Sequence, residues 1–209
     1  LVPAVLQMVL THPDATATDF SSLQRLVYGG SPISPDLLAR GLDVLGCDFM
    51  QLYGLTESTG LGTVLEPDDH ARDSRLLRSV GKPATGVELR VVDPDTASDV
   101  ATGAVGEVWL RSGSIMSGYW RDPEASDEVL VADGWLRTGD AGYLDEDGYL
   151  FLHDRVKDMV VSGGENVYPA EVERLLREHP AVADVAVIGV PDERWGETVK
   201  AVVVRAPGH

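Results

Sequence analysis

The chain has 209 residues, 44% hydrophobic and 24% charged, enough to bury one good core or about one and a half domains. Its 34 acidic and 17 basic residues give a net charge of −17, a surface that repels phosphate backbones and argues against nucleic acid as a partner. The single cysteine, Cys47, rules out an internal disulfide and fits a reducing cytoplasm, and there is no run of about 18 apolar residues to span a membrane. An anionic ligand would therefore be held by local donors, loop amides or a metal ion. The chain begins without methionine and stops just after an apolar strand, at Arg205-Ala206-Pro207-Gly208-His209, which reads as a piece of a longer protein.

In chain order, LVPAVLQMVL suits a helix after Pro3, and LQRLVYGG is a short apolar run ended by glycines. SPDLLARGLDVLG then starts with Ser34 as N-cap and Pro35 at the first helical position, and ends near Gly46. CDFMQLYG is the next strand, with Cys47 as a buried thiol. Strand, helix, strand with short connections predicts the end of a parallel α/β subdomain over residues 1–79. Over 80–155, VELRVVD, GEVWLRSG and YLFLHD are short β segments set apart by Asp-Pro-Asp and Asp-Gly turns, which predicts a small β-barrel-like subdomain. From 156 to 209 the pattern becomes strand, loop, helix (169–178), strand (182–190), strand (198–204), the start of a small, incomplete α+β domain. The fold class is α/β.

Four stretches carry residues suited to chemistry. In QLYGLTEST, where a strand leaves the predicted parallel sheet, Tyr53 offers a flat face for a purine and Gly54 permits a tight turn. The Thr56 hydroxyl can donate to a phosphate oxygen, and Glu57 can supply one hard oxygen to Mg²⁺. The plainer alternative is that Thr56 and Ser58 cap a following helix. In YGGSPIS, Gly29 and Gly30 let the backbone approach a flat ligand. In GWLRTGD, the two oxygens of Asp140 can accept from the two vicinal hydroxyls of a ribose. In HDRVKDMVVSGGENVYPAEVE, Arg155 and Lys157 stand two residues apart on one face of a predicted extended segment, and Ser162-Gly163-Gly164 should form a tight turn. Trp109, Tyr119 and Trp120 read as packing residues. The five histidines have no ligand-like spacing, so zinc is not expected.

Taken in order, these stretches resemble the adenylate-forming superfamily: acyl-CoA synthetases, peptide-synthetase adenylation domains and firefly luciferase. The Ser-Gly-Gly-Glu-Asn-Val-Tyr-Pro loop is most similar to medium- or long-chain fatty-acyl-CoA synthetases. The resemblance implies that Gly29, Gly30, Ser31 and Pro32 wall an adenine slot opposite Tyr53, and that Asp140 and Arg155 reach the ribose. It makes Lys157 the hinge of a swinging C-terminal domain. It also places Ser162, Gly163 and Gly164 on a pantetheine tunnel after rotation, and brings Asn166 towards the nucleotide. The implied activity is ATP- and Mg²⁺-dependent conversion of a carboxylic acid to acyl-AMP, then to the coenzyme A thioester. A carrier-protein thiol as acceptor, an acyl-AMP ligase and an inactive relic are the alternatives, with homodimerisation left open. The family's phosphate loop would lie upstream of this chain and its adenylation lysine downstream, so these 209 residues alone are expected to be inactive.

Overall fold

The computed structural model describes residues 1–31, 33–70, 75–192 and 194–208. Helix α1 (Pro3–Thr11) starts at a proline, whose missing N–H costs nothing in the first turn, and buries Leu6 and Leu10. Strand β1 (Arg25–Gly29) alternates outward and inward residues, burying Leu26 and Tyr28. Helix α2 (Pro35–Leu45) is capped as its sequence predicts. The Ser34 hydroxyl accepts from the Leu37 N–H, and Gly46 closes the other end at φ 60°. Strand β2 (Asp48–Tyr53) runs parallel to β1, setting Gly29 beside Leu52. Leu6, Leu10, Leu26, Tyr28, Leu38, Leu45 and Phe49 form the core between helices and sheet, with Cys47 packed at its edge.

The chain then turns back. Strands β3 (Thr63–Leu65) and β4 (Lys82–Pro83) extend the sheet antiparallel, in the order β1-β2-β3-β4. Thr56–Ser58 is a single 3-10 turn inside this reversal, so the helix that Thr56 and Ser58 might have capped does not form; the Ser58 hydroxyl instead pairs with Leu55.

A second, antiparallel sheet follows. It comprises β5 (Glu88–Val92), β6 (Gly106–Arg111), β7 (Leu130–Val131), β8 (Trp135–Leu144) and β9 (Leu150–Arg155), with helix α3 (Pro123–Val129) leading into β7. Its central member, β8, is ten residues long and was not legible as a strand, because Thr138-Gly139-Asp140 interrupts its apolar pattern. The two sheets are stitched together. The Val80 N–H donates to the Leu150 carbonyl (2.9 Å), and the Leu150 N–H donates to the Gly81 carbonyl (2.8 Å). Gly81 sits at φ 90°, where a Cβ would lie 1.9 Å from the Val64 carbonyl oxygen, so only glycine fits this junction.

The third sheet has the order β11-β10-β13-β12, from β10 (Val160–Ser162), β11 (Glu165–Val167), β12 (Val182–Asp192) and β13 (Gly196–Arg205). Helix α4 (Pro169–Arg177) packs on it, and the Ala170 N–H donates to the Asp154 carboxylate (2.8 Å), joining the helix to the end of β9.

Candidate active site

The stitch between the first two sheets carries the end of β2 up to the middle of β8. Three residues read from separate stretches meet there. The Tyr53 hydroxyl donates to Asp140 Oδ2 at 2.6 Å, across 87 residues of sequence. The Arg155 guanidinium donates to Asp140 Oδ1 at 2.8 Å, and β8 and β9 pair Asp140 directly with Arg155. A carboxylate offers about four lone-pair positions, so two remain for a ligand with two hydroxyls. Burial, with the Asp140 charge beside it, pushes the Tyr53 phenol well above its ordinary range, which keeps it a donor.

The glycines of this region answer to backbone proximity. A Cβ on Gly29 would stand 2.2 Å from the Leu52 carbonyl oxygen. One on Gly54 would stand 2.4 Å from the Gly60 backbone, so Gly54 is required by the returning loop and not by a positive φ of its own. Gly30, at φ 81°, turns the chain away from the end of β1 beside Tyr53's strand, and Ser31 is exposed there. Pro32 lies outside the described residues.

Glu57 stands on the 3-10 turn beyond Tyr53. The Tyr119 hydroxyl donates to Glu57 Oε1 at 2.6 Å, and this bond raises the phenol to about 12. The Met116 N–H donates to the Glu57 carbonyl (2.8 Å) and the Thr59 hydroxyl to the Ser114 carbonyl (2.7 Å), so the 112–119 segment clips this turn in place. Tyr119 is thus a contact of a candidate site residue and not the packing residue its sequence suggests. Trp120 is 85% exposed and packs in no core, whereas Trp109 is buried as expected. Thr56 is exposed beside Glu57. Leu55, Glu57, Tyr119, Arg137, Gly139 and Arg155 line a cleft of about 410 Å³.

Among the described residues no group of three or more His, Cys, Asp or Glu side chains could hold a metal ion. Glu57 as a lone carboxylate nevertheless suits Mg²⁺, which takes one or two protein carboxylates and fills its shell with phosphate oxygens and water.

The remaining candidates stand elsewhere. Arg155 ends β9, and Val156–Asp158 forms a 3-10 turn, so Arg155 and Lys157 do not share the face of an extended segment as their spacing predicts. Lys157 is exposed and lines a different cleft of about 390 Å³ with Asp154, Pro169, Glu173 and Gly189. Ser162-Gly163-Gly164 is the expected tight turn, the tip of the β10–β11 hairpin, with φ of 61° and 89° at the glycines. The Gly163 N–H donates to the Trp195 carbonyl (2.9 Å), and the Trp195 ring occupies the space of a Cβ there. Asn166 is exposed on β11. No hydrogen bond among the described residues ties Ser162, Gly163, Gly164 or Asn166 to Tyr53, Asp140 or Arg155. Sequence reasoning missed Glu107 and Arg137, an ion pair (3.0 Å) of a buried carboxylate and a 37% exposed guanidinium that lines the same cleft; the one available signal was a lone acid in the apolar run GEVWL.

Residues 1–120 match the family model described as AMP-binding enzyme, and residues 171–209 match the AMP-binding enzyme C-terminal domain. Asp140, Arg155 and Lys157 fall between the two matched spans. A fatty acid–[acyl-carrier-protein] ligase of Streptomyces coeruleorubidus is 51% identical over 209 residues, covering 100% of this chain and 40% of the relative. A medium/long-chain-fatty-acid–CoA ligase of Mycobacterium tuberculosis is 44% identical over 204 residues, covering 98% of this chain and 35% of the relative. Among solved structures, an amide bond synthetase from Marinactinospora thermotolerans superposes with a TM-score of 0.87 at 47% identity, over 100% of this chain and 42% of its own. The chain thus spans 35–40% of the length of these two curated relatives.

Proposed function

We propose, for a chain that belongs to the family of AMP-binding enzymes, that the whole protein is an acid–thiol ligase that activates a carboxylic acid, a fatty acid in particular, with ATP. The carboxylate oxygen attacks the α-phosphorus of ATP, pyrophosphate leaves, and acyl-AMP forms. The thiol of coenzyme A then attacks the acyl carbonyl, AMP leaves, and the thioester is the product. The observation that carries this reading is the convergence of Tyr53 and Arg155 on Asp140 from distant parts of the chain.

In this reading the Asp140 carboxylate accepts from both ribose hydroxyls, held in register by the Tyr53 hydroxyl and the Arg155 guanidinium. The Tyr53 ring and the Gly29-Gly30-Ser31 turn flank the base. Thr56 donates to a phosphate oxygen, and Glu57, steadied by Tyr119, is the carboxylate for Mg²⁺. When bound, the ion neutralises charge on the phosphates. The chain's own contribution is positioning and electrostatic complementarity. Lys157, charged and exposed on a one-turn linker, is the hinge about which the third sheet rotates, bringing the Gly163-Gly164 turn to the thiol's approach. Division of the chain at residues 79 and 155 belongs to the same proposal, as does the cytoplasm as its compartment, in keeping with a lone Cys47.

A carrier-protein thiol is the second reading, favoured by the relative that is 51% identical and named for an acyl-carrier-protein acceptor. The test is a panel of carboxylic acids given to the full-length protein with ATP, and with either coenzyme A or a phosphopantetheinylated carrier protein. Acyl-coenzyme A supports the first reading and acyl-carrier the second. Acid-independent ATP consumption, or none with any acid, refutes both.

A further inference from the structure

The buried carboxylate of Glu107 lies against the backbone of Gly139 at the wall of the cleft that Glu57 and Arg155 also line, and no step above uses it. Glu107 is 3% exposed and accepts from the Trp109 indole N–H (3.1 Å), from the Arg137 guanidinium (3.0 and 3.1 Å) and from the backbone N–H of Gly139 (3.2 Å). The last contact is informative, because an inward acid that only balanced Arg137 would have no reason to reach the neighbouring backbone.

The register of β6 against β8 explains why it does. Glu107 pairs with Ala141 and Trp109 with Arg137, so Val108 alone faces Thr138, Gly139 and Asp140. The extra residues form a bulge whose N–H groups lose their ladder partners and must find others. Side chains supply them. The Glu107 carboxylate takes the Gly139 N–H. The Thr138 hydroxyl takes the Asp140 N–H (3.1 Å) and donates to the Val108 carbonyl (2.7 Å). Gly139 adopts φ 70°, a conformation that favours glycine. The bulge re-aims the strand so that the Asp140 side chain, 13% exposed, meets Tyr53 and Arg155.

We infer that Glu107 is a positioning residue for ribose recognition, clamping the Thr138-Gly139-Asp140 bulge so that Asp140 presents its carboxylate to the nucleotide. The inference rests on the reading of Asp140 as the ribose acceptor. An ion pair that merely stabilised the sheet would not affect discrimination between sugars.

The experiment compares kcat/KM for ATP and for 2′-deoxy-ATP in the full-length protein, using acid-dependent adenylate formation. Glu107→Gln keeps an acceptor oxygen but sets an NH₂ against the donors of Arg137 and Trp109. Gly139→Ala strains the bulge and leaves the ion pair in place. Both should lower the preference for ATP over 2′-deoxy-ATP by about fivefold or more, mainly through KM, in the direction of Asp140→Ala. A folded Glu107→Gln protein that keeps the wild-type preference, while Asp140→Ala loses it, overturns the inference and leaves the Asp140 reading intact. If Glu107→Gln does not fold, an unchanged preference in Gly139→Ala overturns it equally. An unchanged preference in Asp140→Ala removes the premise and the inference together.

Discussion

Asp140 shows how much of a site can rest on one side chain. Each of its oxygens already accepts one hydrogen bond, from Tyr53 and from Arg155, and each has capacity for a ribose hydroxyl. A hydrogen bond to a charged group contributes about 1.5–3 kcal/mol. Asp140→Ala should therefore raise the KM for ATP at least about tenfold in the full-length protein, and steady-state kinetics with an unchanged KM would refute the assignment. The stretches holding Tyr53, Asp140 and Arg155 stood out in the sequence because their order resembles known enzymes, and the fold brings these three side chains together. Glu107, Arg137 and Tyr119 were not, since their roles arise from contacts made 30 and 62 residues away. No local pattern distinguishes an acid that clamps a bulge from one that faces solvent.

Among the elements, the helix signals were the most transparent. Ser34, Pro35 and Gly46 bound α2 through backbone chemistry that acts within a few residues, so the sequence sufficed. β8 failed the same treatment because its bulge at Thr138, Gly139 and Asp140 breaks the alternation. The first sheet offers a separate test of its own packing. His70, 4% exposed, approaches the Tyr28 hydroxyl with Nε2 (3.1 Å) and the Glu66 carbonyl with Nδ1 (2.8 Å). Burial holds its pKa below the ordinary histidine value, so the fold prefers the neutral ring. Its contribution is complete above about pH 6.5, the unfolded value, and is lost as pH falls towards the lower folded value. Thermal unfolding of the wild type should show a Tm that declines as pH drops below about 6.5, with a shallower decline in His70→Gln. Identical slopes would show that the ring's protonation is not linked to folding.

For the molecule as a whole, the issue is what the third sheet does relative to the other two. It joins them through the Val156–Asp158 turn, the Ala170–Asp154 hydrogen bond and the contacts of His153 with Glu171 (2.6 Å) and the Tyr168 ring, all of which a rotation of this element would have to release. Proline at Lys157 would fix φ at the proposed pivot. Lys157→Pro should leave acid-dependent ATP–pyrophosphate exchange largely intact and slow thioester formation by about tenfold or more. Equal losses in both half-reactions would contradict a hinge. One AMP molecule should bridge Tyr53 and Asp140, 87 residues apart, and a crystal structure of the full-length protein with AMP would show it. Both ribose hydroxyls should lie on the Asp140 carboxylate, with the Arg155 guanidinium alongside and the base against the Tyr53 ring. AMP seated elsewhere, with Asp140 still closed off by Tyr53 and Arg155, would contradict it.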